Sequence, residues 1–141
     1  MRIVETQVRV IYADTDAMGQ AYYGNTLKWF EAGRAEWFRS LGMSYRELEA
    51  KGVYLPVVEA HCHYRKPIFY DDLITIATRF QFAGPARLRF DCSIRRERDT
   101  LTEGYTVHAC VDRERRVLRP PEFLRELLEA ATVRPVKPHQ S

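Results

Sequence analysis

Long apolar runs are missing from this sequence. No stretch approaches the roughly 18 consecutive apolar residues of a membrane-spanning helix, and Met1-Arg2-Ile3-Val4-Glu5 lacks the apolar core of a signal peptide. Both absences predict a cytoplasmic protein with no membrane insertion. Cysteine is scarce: Cys62, Cys92 and Cys110 cannot all pair within one chain, and none forms a C-x-x-C arrangement. That argues against a disulfide framework and fits a reducing compartment. Neither sign of charge dominates, since 22 Lys+Arg against 19 Asp+Glu leave a formal charge of +3, interleaved along the chain. A nucleic-acid partner, which calls for a segregated basic stripe, is therefore not expected. A small anion needs only two or three arginines. No histidine precedes His61, and G-x-S-x-G, G-x-x-x-x-G-K-[ST] and G-x-G-x-x-G are all absent. Serine-elbow hydrolysis and phosphate-cradling loops are thereby set aside.

What is present suffices for a core. The chain has 141 residues, of which 45% are hydrophobic and 12% aromatic, the size of one ordinary domain. Period-two alternation starts early, with Val4, Val8, Val10 and Tyr12 on one face and Glu5, Gln7 and Arg9 on the other. Residues 13–25 read as loop. From Thr26 to about Leu41 the period becomes helical, with Phe30, Trp37 and Leu41 along one face and Leu27, Trp29 and Phe38 elsewhere. That pattern predicts a helix buried on several sides. Gly33 costs this helix about 1 kcal/mol relative to alanine, which predicts a close approach by a neighbouring strand. Ser44 with Glu47 forms a capping box for a short helix to Lys51. Strands are predicted at 53–64, 73–82, 87–95 and 102–112, with turns at Asp71-Asp72, Gly84-Pro85 and Asp99-Thr100. Val117-Leu118 reads as a last short strand, and Pro120-Pro121 opens an amphipathic helix. The sum is an α+β domain over residues 1–131, one antiparallel sheet curled around one long helix, with a flexible tail over 132–141.

The chemistry concentrates between Tyr12 and Asn25. Asp14 and Asp16 flank Thr15, and the long helix begins about ten residues later. The first amides of a helix have no internal partner and carry the positive end of its dipole, so they can hold an anion or a developing oxyanion. A nearby carboxylate could act as nucleophile or general base. Judged by spacing alone, the simpler reading is that the two aspartates shape a turn and cap amides.

The residues Asp14-Thr15-Asp16, Gly19, Tyr22-Tyr23, Asn25, Glu31 and Arg34 resemble, in order and spacing, the signature of the hotdog-fold acyl-CoA thioesterases. The nearest types are 4-hydroxybenzoyl-CoA thioesterase and the Tol–Pal-associated acyl-CoA thioesterase. Pro67, Tyr70-Asp71-Asp72-Leu73, the stretch from Gly84 to Phe90 and Arg119-Pro120 add weaker matches. The resemblance implies a hotdog fold and hydrolysis of an acyl-CoA to free acid and coenzyme A. Asp16 would be the catalytic carboxylate, attacking directly or activating water, and the amides of Tyr23 and Gly24 would be the oxyanion donors. It implies a homodimer as the minimum active unit, or that dimer doubled to a homotetramer. Val57 and Val58 would then line the acyl pocket across the interface, with Glu59 nearby. Arg87 and Arg89 match the nucleotide-binding region, although each also reads as a solvated surface arginine; Arg65, Lys66 and Arg119 are further candidates. No cofactor is expected, because coenzyme A is part of the substrate. The Tol–Pal-associated type usually carries histidine where this chain has Tyr23, and the aromatic-acyl type carries tyrosine.

Other groupings carry less. His61 and His63 point to one side of a strand and Cys62 to the other, so the triplet cannot chelate as a unit, and no metal site is expected. Glu31 and Arg34 lie one turn apart and are expected to pair. Hotdog hydratases need a histidine near the catalytic carboxylate, which this chain lacks. The alternatives to a thioesterase are a non-catalytic acyl-CoA-binding or carrier-interacting domain, and an interaction protein whose loop only caps the helix.

Overall fold

The computed structural model describes residues 2–132. Strand β1 spans Ile3–Arg9; a single 3-10 turn, Tyr12–Asp14, follows, then helices α1, Asn25–Arg39, and α2, Tyr45–Ala50. Strands β2 (Val57–Tyr64), β3 (Leu73–Phe82), β4 (Arg87–Arg96) and β5 (Asp99–Ala109) precede helix α3, Glu122–Thr132. The five strands form one sheet in the order β1-β3-β4-β5-β2, and every pairing is antiparallel. This is the expected α+β arrangement, with β1 and β2 as its edges. No helix among the described residues is long and apolar enough to cross a membrane. The expected tail begins on the last residue of α3, and 133–141 lie outside the described residues.

Helix α1 lies across the inner face of the sheet, because Trp29, Phe30, Gly33, Trp37 and Phe38 fall on one side and are all buried. Trp37 sits at the centre of an aromatic cluster, its ring 5.3 to 5.4 Å from those of Phe38, Phe80 and Phe90. Gly33 is where α1 touches β3. A methyl there would fall on Thr78 Oγ1 and only 2.8 Å from Ile76 Cγ2, so the predicted close approach is present. The other side of α1 is open, with Leu27 43% exposed; the helix is covered on one face, not on several.

Other expectations shift for identifiable reasons. Tyr12 leaves the strand for the 3-10 turn and is exposed. Strand β2 starts at Val57 because Pro56 has no N–H to give a ladder; Tyr54 makes only an isolated bridge to Val111. Arg96 pairs with Asp99, so the hairpin turn is Glu97-Arg98, with Glu97 at φ 55°, rather than Asp99-Thr100. Val117 forms a single bridge, to Val111. Ser44 caps α2 as predicted, its Oγ accepting from Glu47 N at 3.1 Å, but Glu47 Oε1 takes the Ser44 hydroxyl at 3.2 Å instead of the Ser44 amide, so only half of the box forms.

In β5 the apolar alternation Tyr105/Val107/Ala109 does not mark the face toward α1. Register with β4 places Thr102, Thr106 and His108 opposite the inward Ile94, Phe90 and Leu88, so the inner face of this strand is polar.

Candidate active site

The two aspartates of the loop separate into different environments. Asp14 is buried. Its Oδ2 accepts from the Ile11 amide at 3.0 Å, and its Oδ1 accepts from Lys28 Nζ on α1 at 2.5 Å. Its carbonyl takes the Tyr22 amide at 2.9 Å and Asn25 Nδ2 at 2.6 Å. Asp14 therefore ties the loop to the first turn of α1. Asp16 is exposed at the start of a small hairpin. Its amide donates to Gln20 O at 2.8 Å, and its Oδ1 accepts from the Met18 amide at 2.8 Å. Gly19 closes that hairpin at φ 78°, a conformation open to glycine and strained for other residues.

The returning strand of the hairpin leads into the start of α1. Ala21 and Tyr22 spend their amides on Ile68 O and Asp14 O. The next two do not: among the described residues, the Tyr23 and Gly24 amides have no hydrogen-bond partner, and α1 has no side-chain cap. They stand at the positive end of a 15-residue helix. The Tyr23 carbonyl is held in place by Tyr64 Oη, which donates to it at 3.0 Å. Beside them runs a groove of about 410 Å³, bounded by Tyr22, Tyr23, Thr26, Trp29, Tyr64 and Ile68. Arg65 and Lys66 stand on its rim. Asp16 does not line this groove, although Gln20, opposite it in the hairpin, does.

The other expected residues lie elsewhere. Val57 and Val58 open the edge strand β2 and are about half exposed. Glu59 accepts from Tyr105 Oη. Arg87 and Arg89 sit on the sheet face opposite α1, outside the groove; Arg89 is held by Asp91 at 3.0 Å and lies over the Tyr105 ring at 3.8 Å. His61 is stacked on Tyr105 on that outer face, whereas His108 faces α1, so the two cannot share a ligand.

The expected Glu31–Arg34 pair is replaced by something else. Glu31 is exposed, and Arg34 turns inward, 6% exposed. Arg34 Nε donates to Tyr45 Oη at 3.2 Å and Nη1 to Thr106 Oγ1 at 3.2 Å. His108 continues the chain, its ring nitrogens 2.9 Å from Thr106 Oγ1 and from Leu55 O. Burial, with the Arg34 charge adding to it, holds His108 down at about 4, against a partial opposing effect of its bond to Leu55. Burial also pushes the Tyr45 phenol up. Tyr64 and the inward turn of Arg34 were not foreseen; the polar inner face of β5 was the signal for the second.

One antiparallel sheet curved over one long helix, with orphaned amides where that helix begins, is the hotdog fold. The chain belongs to the thioesterase-like superfamily, whose family model matches residues 10–131, and is thus an enzyme of the thioester-hydrolase class. It is 32% identical to YneP of Bacillus subtilis over 115 residues, 81% of this chain and 83% of that one. It is 30% identical to the acyl-CoA thioesterase YbgC of Haemophilus influenzae, over 87% of this chain and 90% of that protein. The crystal structure of a DHNA-CoA thioesterase from Staphylococcus aureus superposes with a TM-score of 0.85 at 29% identity, covering 92% of this chain and 89% of the other.

Proposed function

We propose that the protein hydrolyses an acyl-CoA thioester to the free acid and coenzyme A. The observation that carries this reading is the pair of unpartnered amides, Tyr23 and Gly24, at the start of α1 beside an open groove. A thioester carbonyl oxygen directed at them gains two donors and the helix dipole as it becomes an oxyanion. Asp16 supplies the attack. Its carboxylate adds to the carbonyl carbon, the thiolate leaves, and water hydrolyses the resulting anhydride; alternatively it takes a proton from the water that attacks. Either route consumes one water and releases one acid and one thiol. Arg65 and Lys66 at the rim suit the phosphates of coenzyme A.

The unit is a homodimer paired through β2, with a homotetramer as its doubled form. Seven of eight β2 residues are exposed and, among the described residues, one edge of the strand has no neighbour, a liability that pairing with a second copy removes. Pairing would also bring Val57, Val58 and Glu59 toward the second copy's groove. The engagement of Asp16 Oδ1 by Met18, at a hairpin outside the groove, favours the rival reading of a domain that binds acyl-CoA without turnover.

Thiol release from octanoyl-CoA by wild type, Asp16→Asn and Asp16→Ala separates the two readings. A thioesterase loses on the order of 10³-fold in kcat with either variant. Unchanged turnover in both variants removes Asp16 from the mechanism, and absent turnover with saturable binding in all three proteins leaves the binding module.

A further inference from the structure

A second cavity, of about 870 Å³, lies on the open side of α1, bounded by that helix, α2 and the chain leading into β2. Its walls include the apolar Ala32, Ala35, Leu55, Pro56, Val57 and Val111, and charges of both signs stand around them, among them Lys28, Asp112, Arg113 and Arg115; its size suits a small organic ligand. Arg34 and Tyr45 stand in the same lining.

The hydrogen-bond bookkeeping at these two residues is one-sided. Arginine has five N–H donors and no acceptor. Two of Arg34's donors are used, on Tyr45 and Thr106, and no carboxylate comes within 4.0 Å of it among the described residues. Among the described residues Nη2 has no hydrogen-bond partner. It is not sealed either, since no fully buried side-chain nitrogen or oxygen among the described residues is left unbonded. Because Arg34 can only donate, Tyr45 Oη accepts from it, and the phenolic hydrogen remains free for another acceptor. A guanidinium that is buried and forms no ion pair among the described residues thus shares this cavity with a second free donor. A buried charge of this kind is costly until something neutralises it.

We infer that this cavity binds a carboxylate carried on an apolar body, with Arg34 and Tyr45 donating to its oxygens. One carboxylate offers the planar pair of acceptors that a guanidinium fork matches, and its single charge is the amount needed. The other charges of the lining, Lys28, Arg113 and Arg115 against Glu31, Glu49 and Asp112, offset one another, so a doubly charged phosphate would bring one negative charge more than Arg34 matches. Glu31, one helical turn from Arg34 and in the same lining, is the nearest internal competitor for the guanidinium.

Two sources present this chemistry: a free carboxylic acid, and the far-end carboxylate of a dicarboxylic acyl group. Arg34 lies ten residues beyond Gly24, about 15 Å along the helix, within reach of an extended acyl chain. Only this second source rests on the thioesterase reading.

The test is calorimetric titration of the full chain with octanoate, with 1-octanol as the neutral control. Saturable binding of one octanoate per chain is expected, at least tenfold tighter than the alcohol. Arg34→Lys and Tyr45→Phe, which keep charge and volume respectively, should each weaken it several-fold, and Glu31→Gln should tighten it. Arg34→Gln is a fourth variant, its fold checked by circular dichroism. Absence of octanoate binding, equal binding of acid and alcohol, or wild-type affinity in folded Arg34→Lys and Tyr45→Phe overturns the inference.

The sources are separated by turnover of dodecanedioyl-CoA against dodecanoyl-CoA. A preference for the dicarboxylic thioester that Arg34→Lys abolishes assigns the site to the acyl end. Equal turnover, with inhibition by octanoate that Arg34→Lys relieves, assigns it to the free acid. If neither thioester is hydrolysed the proposed activity fails, and the calorimetric result still decides this inference by itself.

Discussion

His108 should make the stability of the protein depend on pH in a narrow, calculable window. The ring is 1% exposed, bonded on both nitrogens, and held at about 4 by burial reinforced by the Arg34 charge. In the unfolded chain it titrates near the ordinary value of about 6.5. Between those two values the unfolded state binds more protons than the folded one, so stability falls as the pH falls. At pH 5 the loss relative to pH 7.5 is about 2 kcal/mol, rising to about 3 kcal/mol at pH 4, with a mid-window slope of about 1.2 kcal/mol per pH unit. Carboxylates titrate in the same region, so the measurable quantity is a difference between proteins. Urea unfolding of wild type and of His108→Asn, which keeps a donor near the Nδ1 position, should be followed from pH 7.5 to 4.5. Wild type should lead at pH 7.5, and its advantage should shrink by about 2 kcal/mol by pH 5. A flat difference across that range would mean that the folded ring accepts a proton at an ordinary pH, and the buried chain from Leu55 to Tyr45 would be wrong.

Two backbone positions offer sharper tests of packing. Gly33→Ala gains about 1 kcal/mol of helix propensity but drives a methyl against Thr78 and Ile76; overpacking of about 1–3 kcal/mol should win, lowering the Tm, and a raised Tm refutes the contact. In Gly104→Ala the new methyl would overlap the carbonyl oxygen of His61 on β2, a backbone atom that cannot rotate away. A loss of about 3 kcal/mol or more is expected, with faster amide exchange along β2; an unchanged urea midpoint excludes this approach of the strands.

The sequence carried most of the architecture because its periodicities are strong. Leu73–Phe82 is reproduced residue for residue, and the alternation of Ile74, Ile76 and Phe80 admits no other face to the core. What failed did so where a local signal was outvoted. The turn before β5 moved because pairing of Arg96 with Asp99 sets the hairpin two residues earlier, which needs a positive φ at Glu97 that nothing in its chemistry announces. In β5 hydrophobicity alone points to Val107 and Ala109, while the ladder to β4 turns Thr106 and His108 toward α1. Strand register is a property of the pair, and one strand's pattern cannot override its neighbour's.

The loop shows why candidate chemistry was harder to read than fold. Asp14 and Asp16 are the same residue type two positions apart, and by composition they are interchangeable. The chain distinguishes them through partners far away in sequence: on α1, Lys28 takes the Asp14 carboxylate and Asn25 its carbonyl, whereas among the described residues only Met18, two positions on, bonds the Asp16 carboxylate. An anion with a lysine, a backbone amide and burial is committed to holding the loop. An exposed anion with one amide bond, which water can replace at little cost, is free to be redirected by a substrate or a second subunit. The same contrast holds for the amides, where Tyr22 is spent on Asp14 while Tyr23 and Gly24 are not. The half of the loop to which the proposed mechanism assigns the chemistry is therefore the half the fold leaves unused, and it borders α1 where that helix is uncovered.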